Sequence, residues 1–223
     1  MKRYLLFFVC FCFWGMDVHA QSLELGASAN YVFVPAFDRA LQTHNSARPF
    51  IDTPQPLLDF GFRMDAGWMA PTETRWQRGV ALGYAFTRSR AENGGLVTRI
   101  PFHRIDLGYR WRRSAPNGAN GMTVGVAANA VGTLMDRRQS TVLDGQTERI
   151  ARAWGIGAGV EFEVGYALHR EGWIWLPFAA ASAVPLHYTP NAEAVLNQTL
   201  GVVGGAVVGM YAASVGLRVV RNW

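Results

Sequence analysis

The chain is poor in cysteine and lysine, and both absences limit what it can be. Its two cysteines, Cys10 and Cys12, and its single lysine, Lys2, all lie in the first 20 residues. The remainder therefore has no structural disulfide and no thiolate metal site. After residue 20, no segment offers about eighteen uninterrupted apolar residues, so the sequence predicts no transmembrane helix.

The first 20 residues have the pattern of a secretory signal peptide. Lys2 and Arg3 give a positively charged start, residues 4–14 form a short apolar run, and Val18-His19-Ala20 supplies a cleavage site. We predict cleavage after Ala20, which leaves one domain, residues 21–223. The alternative is a short membrane anchor.

The charge balance of this domain is mildly basic. Without Lys2, Arg3 and Asp17, the 21 basic and 16 acidic residues become 19 and 15, a net charge near +4. This suits lipopolysaccharide phosphate or outer-membrane lipid as a partner. The charge is too weak and too evenly spread to indicate nucleic-acid binding.

Alternation of apolar and polar residues recurs along the chain and predicts eight strands. In residues 101–113, for example, Ile105, Leu107 and Tyr109 alternate with Arg104, Asp106 and Arg110. The predicted strands cover residues 23–34, 57–69, 75–87, 101–113, 121–135, 153–168, 172–188 and 207–223. The seventh is apolar on both faces, so its facing stays undecided at this point.

The connections between these strands alternate in length. Long connections are expected at 36–56, 88–99, 136–150 and 189–206, and short turns at "APTET", "SAPNGANG" and "HREG". All long connections then fall on one side. Strands of about ten residues joined in this way are typical of an eight-stranded antiparallel up-and-down transmembrane β-barrel, an all-β fold.

Aromatic residues on the apolar faces fall into two groups, as the two interfaces of a membrane would select. We predict two aromatic girdles on this basis. The girdle near the short turns comprises Trp68, Trp76, Trp111, Tyr166 and Trp223. The girdle near the long connections comprises Tyr31, Phe33, Phe86, Phe102 and Trp154.

In such a barrel the apolar faces meet lipid and the polar faces line a narrow lumen, where charges must pair. We predict a lumen ion-pair network, with a gated narrow ion path as the alternative. Its predicted members are Glu24, Asp59, Arg63, Asp65, Arg104, Asp106, Arg110, Glu161, Glu163 and Arg218.

The signal peptide, the eight amphipathic strands and the terminal Trp223 resemble the small outer-membrane barrels of Gram-negative bacteria, the OmpA transmembrane domain and OmpX class. The last strand, "SVGLRVVRNW", has the alternating pattern and final aromatic residue of that class. The resemblance implies insertion by the barrel-assembly machinery, with Trp223 as part of the assembly signal. We expect a bacterial outer-membrane location, no cofactor and a monomer.

Residues 185–198 contain a feature similar to lipid A 3-O-deacylases, which are also eight-stranded barrels. The resemblance implies His187 as base, Thr189 as nucleophile and Glu193 as orienting acid. The sequence departs from that family because threonine replaces serine and Pro190 follows it. A lipid A-modifying acyl hydrolase at the outer rim is therefore kept as an alternative function.

A group of arginines lies at the predicted outer rim, in or next to the long connections, where lipopolysaccharide phosphate would be a suitable partner. Its members are Arg39, Arg48, Arg88, Arg90, Arg99, Arg137, Arg138, Arg149 and Arg152. The histidines are scattered, so no metal site is expected.

The sequence favours a non-enzymatic outer-membrane barrel with a structural or surface-interaction role, its loops forming the recognition surface. A narrow pore, or a component of a secretion or adhesion apparatus, stays open. So does a secreted lipocalin-like carrier with an apolar interior.

Overall fold

The structure, a computed structural model, describes residues 22–47, 54, 56–71, 75–114, 119–141, 146–189, 191–196 and 207–222. The predicted signal peptide and Trp223 lie outside the described residues, and so does Arg48. Within these ranges two helices accompany the strands, α1 (Pro35–Ser46) and α2 (Ala192–Leu196). No helix among the described residues is long and apolar enough to cross a membrane.

Eight strands form a closed barrel in which each strand is antiparallel to its neighbours in sequence, and β1 closes the ring against β8. Closure removes the free sheet edges, whose unpaired backbone groups could not be tolerated in hydrocarbon. The predicted up-and-down barrel is confirmed. The strands are β1 (Ser22–Phe33), β2 (Phe60–Pro71), β3 (Trp76–Asn93), β4 (Leu96–Arg113), β5 (Gly121–Thr141), β6 (Thr147–Arg170), β7 (Trp173–Tyr188) and β8 (Val207–Asn222).

Apolar side chains point away from the barrel axis, and charged side chains point toward it. Leu107 is 39% exposed and Phe162 is 61% exposed, whereas Arg110 and Glu161 are each 2% exposed. A soluble barrel has the opposite arrangement, with its apolar side chains inside. This facing is that of a transmembrane barrel, with an apolar band for acyl chains and a polar lumen.

The structure decides the facing of β7, which the sequence left open. Leu176, Phe178 and Leu186 point into the lumen, while Trp175 and Pro177 point outward. The outward strand face between the two girdles is mostly alanine. Both faces of β7 are apolar because its outer face meets the band and part of its inner face meets an apolar part of the lumen.

Two of the predicted long loops are instead strand extensions. Residues 88–99 belong to β3 and β4 except for a two-residue turn at Gly94 and Gly95, whose φ angles of +54° and +80° favour glycine. Residues 136–141 and 147–150 extend β5 and β6. The loop prediction was wrong there because polar, arginine-rich sequence is typical of loops, although a paired hairpin outside a membrane needs no apolar face either.

These extensions give the barrel two different ends. We call the end with the connections after β2, β4 and β6 the short-turn end. We call the end with the extended β3–β4 and β5–β6 hairpins the long-hairpin end. A register shift between Arg137 and Arg138 marks a bulge in the pairing of β5 with β6, beyond the point where β7 ends.

Candidate functional site: the barrel interior and the long-hairpin rim

Among the described residues, ten charged side chains in the lumen form one connected ion-pair network. Five arginines and five carboxylates take part, so the network has no net charge, and every member is buried. Neutrality matters because an unpaired charge in a poorly solvated lumen costs several kcal/mol. The members are Arg63, Arg104, Arg110, Arg112, Arg218, Glu24, Asp65, Asp106, Glu161 and Glu163.

Glu24 of β1 lies at the centre of the half of the ion-pair network that is nearer the short-turn end. Its carboxylate is fully buried and accepts hydrogen bonds from Arg112, at 3.0 Å from Nη2, and from Arg110, at 3.3 Å. Arg218 of β8 lies 3.7 Å from the same carboxylate and donates to Asp65 at 3.0 Å and to Glu163 at 2.8 Å. These contacts join five strands across the lumen.

The other half of the network is built around Arg63 of β2. Its guanidinium lies 2.5 Å from Glu161 and 3.8 Å from Asp106. Arg104 donates to Asp106 at 2.6 Å. Arg110 lies 3.8 Å from Glu161 and so connects the two halves.

Small residues on the inward strand faces leave room for this network. A β-carbon at Gly83 of β3 would lie 3.3 Å from the Nε atom of Arg63, tighter than ordinary contact. At Gly26 of β1, a β-carbon would lie 2.9 Å from a carboxylate oxygen of Asp65. The small residues on the polar faces are therefore a packing requirement of the long charged side chains.

Nine of the ten residues in the ion-pair network were predicted from the sequence, and the tenth, Arg112, was not. Asp59 lies just before β2 begins, and its carboxylate accepts a hydrogen bond from the Phe60 amide at 2.8 Å instead of joining the network. Arg112 takes its place among the ten, fully inside the lumen. The sequence contained the information for Arg112, because this residue follows Arg110 by two positions and therefore shares its strand face.

Above the network, toward the long-hairpin end, the lumen is filled by an apolar plug. Both helices pack there against inward-facing side chains: Phe37 of α1 contacts Tyr188 edge to face at 4.9 Å, and Leu41 is buried beside them. Tyr188 in turn accepts a hydrogen bond from Thr133 at 3.0 Å. The sequence did not predict this plug, because α1 lies in a segment predicted as a long connection.

Strand β4 runs through both layers of the interior. Arg112, Arg110 and Arg104 lie in the network, and the next two inward residues, Phe102 and Ile100, lie in the plug. Phe102 was predicted in the outer aromatic girdle, and this was wrong. It lies an even number of residues from Arg104 and therefore points inward.

The remaining girdle residues point outward where the structure describes them. Trp68, Trp76, Trp111 and Tyr166 are exposed near the short-turn end, and Tyr31, Phe33 and Trp154 are exposed near the long-hairpin end. Phe86 is half-buried because Phe62 packs against its ring at 5.7 Å and His103 at 5.1 Å.

The residues suggested as an acyl hydrolase site are arranged differently from a catalytic triad. His187, the last outward residue of β7, is exposed on the outer surface of the barrel. The hydroxyl of Thr189 accepts a hydrogen bond from the Trp154 amide at 3.2 Å, which ties the chain to β6. Glu193 lies in α2, which packs over the lumen.

At the long-hairpin rim, Asp136 is held by two arginines. Arg152 donates at 2.6 Å and Arg138 donates at 2.9 Å. Mainly through the hydrogen bond from Arg152, these contacts lower the pKa of the Asp136 carboxyl to about 2. Asp136 is therefore charged under all physiological conditions. Among the described residues, no group of three or more potential ligands is arranged to hold a metal ion.

An outward apolar band, two aromatic girdles and an interior filled by paired charges and an apolar plug define the class of protein: a small transmembrane β-barrel with a filled lumen. The expected resemblance to small eight-stranded outer-membrane barrels is confirmed for the architecture, on the strand pairing of this chain.

Comparison with solved structures finds barrels of similar extent. Neisserial surface protein A is 13% identical (TM-score 0.41), with 89% of this chain and 97% of that chain covered. Ail of Yersinia pestis is 10% identical (TM-score 0.40; 90% and 97% covered). A major outer membrane protein from Thermus thermophilus is 9% identical (TM-score 0.45; 92% and 100% covered). No family model and no curated protein sequence matches the chain.

Proposed function

We propose that this protein is a non-conducting barrel of the bacterial outer membrane with a structural or surface-interaction role. In this proposal the barrel is a rigid anchor, and the extended hairpins at the long-hairpin end face the cell exterior and form the recognition surface. The observation that carries the proposal is the closure of the lumen at two successive levels.

The first level is the neutral ion-pair network. An ion crossing it must displace arginine–carboxylate contacts such as Arg63–Glu161 at 2.5 Å and Arg218–Glu163 at 2.8 Å. Breaking one buried pair costs about 3–5 kcal/mol, and several would have to open in sequence. The pairing is also saturated, since five arginines face five carboxylates, so the network offers no surplus charge to select a permeating ion.

The second level is the apolar plug. An ion that passed the network would meet Phe102, Met135 and Leu186, which are buried together with the α1 and α2 side chains. A charged species in such surroundings loses its hydration without gaining a partner. The two levels exclude ions for different physical reasons, so a substitution that opens one leaves the other closed.

Recordings in planar lipid bilayers test the proposal. Purified full-length protein is expected to give no single-channel events, either as wild type or as Arg104→Ala. A known porin, prepared and reconstituted in the same way, serves as the positive control for insertion. Discrete, reproducible conductance steps from wild-type protein would refute a non-conducting barrel.

The location is tested separately from the conductance. A folded barrel should need detergent for extraction and should migrate differently on SDS gels before and after boiling. Recovery of the protein in a detergent-free periplasmic extract would instead support a soluble carrier and would contradict the proposed location.

A further inference from the structure

Four arginines at the long-hairpin end face one another across neighbouring strands. Arg90 of β3 is opposite Arg99 of β4, Arg99 is opposite Arg138 of β5, and Arg138 is opposite Arg149 of β6. Directly opposite residues in a sheet project from the same face. The four guanidinium groups therefore share one surface, which we call the arginine row.

The arginine row faces outward, away from the lumen. Arg90 lies four residues beyond Phe86, and Arg99 lies four residues before His103, so each shares the strand face of that residue. The rings of Phe86 and His103 contact each other on the outward face at this end, with their centroids 5.1 Å apart. The row is thus on the same side of the sheet as the girdle and beyond it.

Two more arginines lie between the row and the girdle. Arg88 lies two residues beyond Phe86 on β3, and Arg152 lies two residues before Trp154 on β6. The Arg152 guanidinium is placed 5.9 Å from the Trp154 ring centroid, which fixes it on the outward face. Six arginines therefore occupy one outward surface on β3 to β6.

Few carboxylates oppose this positive charge. On the same described face, Glu92 lies 3.4 Å from Arg90, and Asp136 is bonded to Arg138 and Arg152. Six arginines and two carboxylates leave a net charge of +4. Within the part of the chain that the structure describes, neither Arg88 nor Arg149 lies within ion-pairing distance of a carboxylate.

The positive charge that Glu92 and Asp136 leave unbalanced favours the binding of an anion. Like charges directly opposite each other destabilise a sheet, and here three such pairs follow one another. The row spans three strand spacings, or about 14 Å, so it suits an anion with two or more phosphate groups better than a single small ion. Arginine matches phosphate through paired N–H donors.

The position of the row favours a membrane-bound source of the phosphate. Arg90 lies four residues beyond Phe86 and Arg88 lies two residues beyond it, which is about 13 Å and about 7 Å farther along β3. Strands in such barrels tilt by about 40°, so a row of directly opposite residues is inclined to the membrane plane, and its span of about 14 Å covers about 9 Å of height. The headgroup layer of a bilayer is about 5–8 Å thick on each side, so an inclined row that begins just beyond the girdle suits phosphates held in that layer.

We propose that the arginine row, together with Arg88 and Arg152, binds the phosphorylated headgroup of an outer-leaflet glycolipid, against the outer wall of β3 to β6. This inference rests on the proposed outer-membrane location. It predicts that lipid binding is concentrated on this side of the barrel, because the described ends of β7, β8 and β1 at this rim carry no arginine.

Binding of diphosphorylated lipid A to full-length protein in detergent micelles tests the inference. The test variant is Arg90→Gln with Arg149→Gln, both exposed and both at the ends of the row. The matched control is Arg113→Gln with Arg170→Gln, which removes the same charge from exposed positions at the short-turn end. If the test variant does not fold, Arg149→Gln alone takes its place.

We expect the row variant to bind lipid A at least about tenfold more weakly than wild type, since charge-assisted contacts are lost. The control should stay within about twofold of wild type. Enzymatically dephosphorylated lipid A should bind wild type at least as weakly as intact lipid A binds the row variant, because the variant keeps four of the six arginines. Raising the salt concentration should weaken binding to wild type more than to the variant.

Equal lipid A affinity of wild type and row variant would overturn the inference. So would tighter binding of heparin that is lost in the row variant while lipid A binding is unchanged, because the row would then serve a soluble polyanion. Each variant is first checked for the gel shift of a folded barrel. Failure of that check in wild type would contradict the proposed function, whereas unchanged lipid binding by folded variants contradicts this inference alone.

Discussion

Removing the charge of Glu24 is expected to destabilise the whole barrel. Glu24 is fully buried and is shared by three arginines, with nitrogen–oxygen distances of 3.0 Å to Arg112, 3.3 Å to Arg110 and 3.7 Å to Arg218. In Glu24→Gln the side chain keeps its volume, but the network becomes five positive charges against four negative ones. The lumen then holds one uncompensated charge.

The expected cost is about 3–5 kcal/mol, the usual penalty for breaking a buried ion pair by removing one partner. For a chain of this size, that corresponds to a fall of about 6–20 °C in the unfolding temperature. Gel mobility after incubation at increasing temperature measures it directly, since folded and unfolded barrels separate on SDS gels.

Two further variants separate the loss of buried charge pairing from other effects of the substitution. Glu24→Gln combined with Arg112→Gln restores neutrality, so it should recover part of the loss, and the two substitutions should not be additive. Glu92→Gln removes an exposed partner of Arg90 at 3.4 Å and should cost less than about 1 kcal/mol. A Glu24→Gln barrel that unfolds within about 2 °C of wild type would refute a network held together by buried pairing.

Three other outcomes follow from the packing. Gly79→Val forces a side chain against a backbone carbonyl of β2, so it should lower the free energy of unfolding by about 1–3 kcal/mol. Gly132→Ala has open space around its β-carbon, so it should change the free energy of unfolding by less than about 0.5 kcal/mol. Urea titrations measure both values. Phe37→Ala should release α1 without melting the barrel, seen as faster amide exchange in α1 and an unchanged gel shift. Burial raises the pKa of the Asp38 carboxyl to about 6, so α1 docking should be tightest below about pH 4 and weaken as the pH rises through 6; exchange protection in Asp38→Asn should lose this dependence.

Much of the interior network could be derived from alternation alone. Arg104, Asp106 and Arg110 share one strand face in any register, because side chains in a strand alternate with a period of two residues. The same rule also assigns Arg112 to the lumen and Phe102 away from the lipid. For those two residues the sequence contained the information, and the prediction departed from the rule.

The arginine row at the long-hairpin rim could be identified only from the register between neighbouring strands. Local sequence does not indicate that Arg99 and Arg138 are neighbours, because they lie 39 positions apart, whereas Arg90 and Arg99 lie symmetrically about the turn at Gly94 and Gly95. Only the pairing of β3, β4 and β5 sets them opposite one another. The same pairing turns segments predicted as loops into hairpins, since paired strands outside a membrane can be polar on both faces.

The amino-acid sequence by itself determined the class of fold, because eight alternating segments of about ten residues with two groups of aromatics can satisfy their backbone and bury their charges only by closing into a barrel. The tertiary structure alone decided which charges balance, that α1 and α2 fill one end of the lumen, and which arginines meet. Those properties depend on register and on the docking of distant segments, and both are set by contacts between residues that local sequence does not relate.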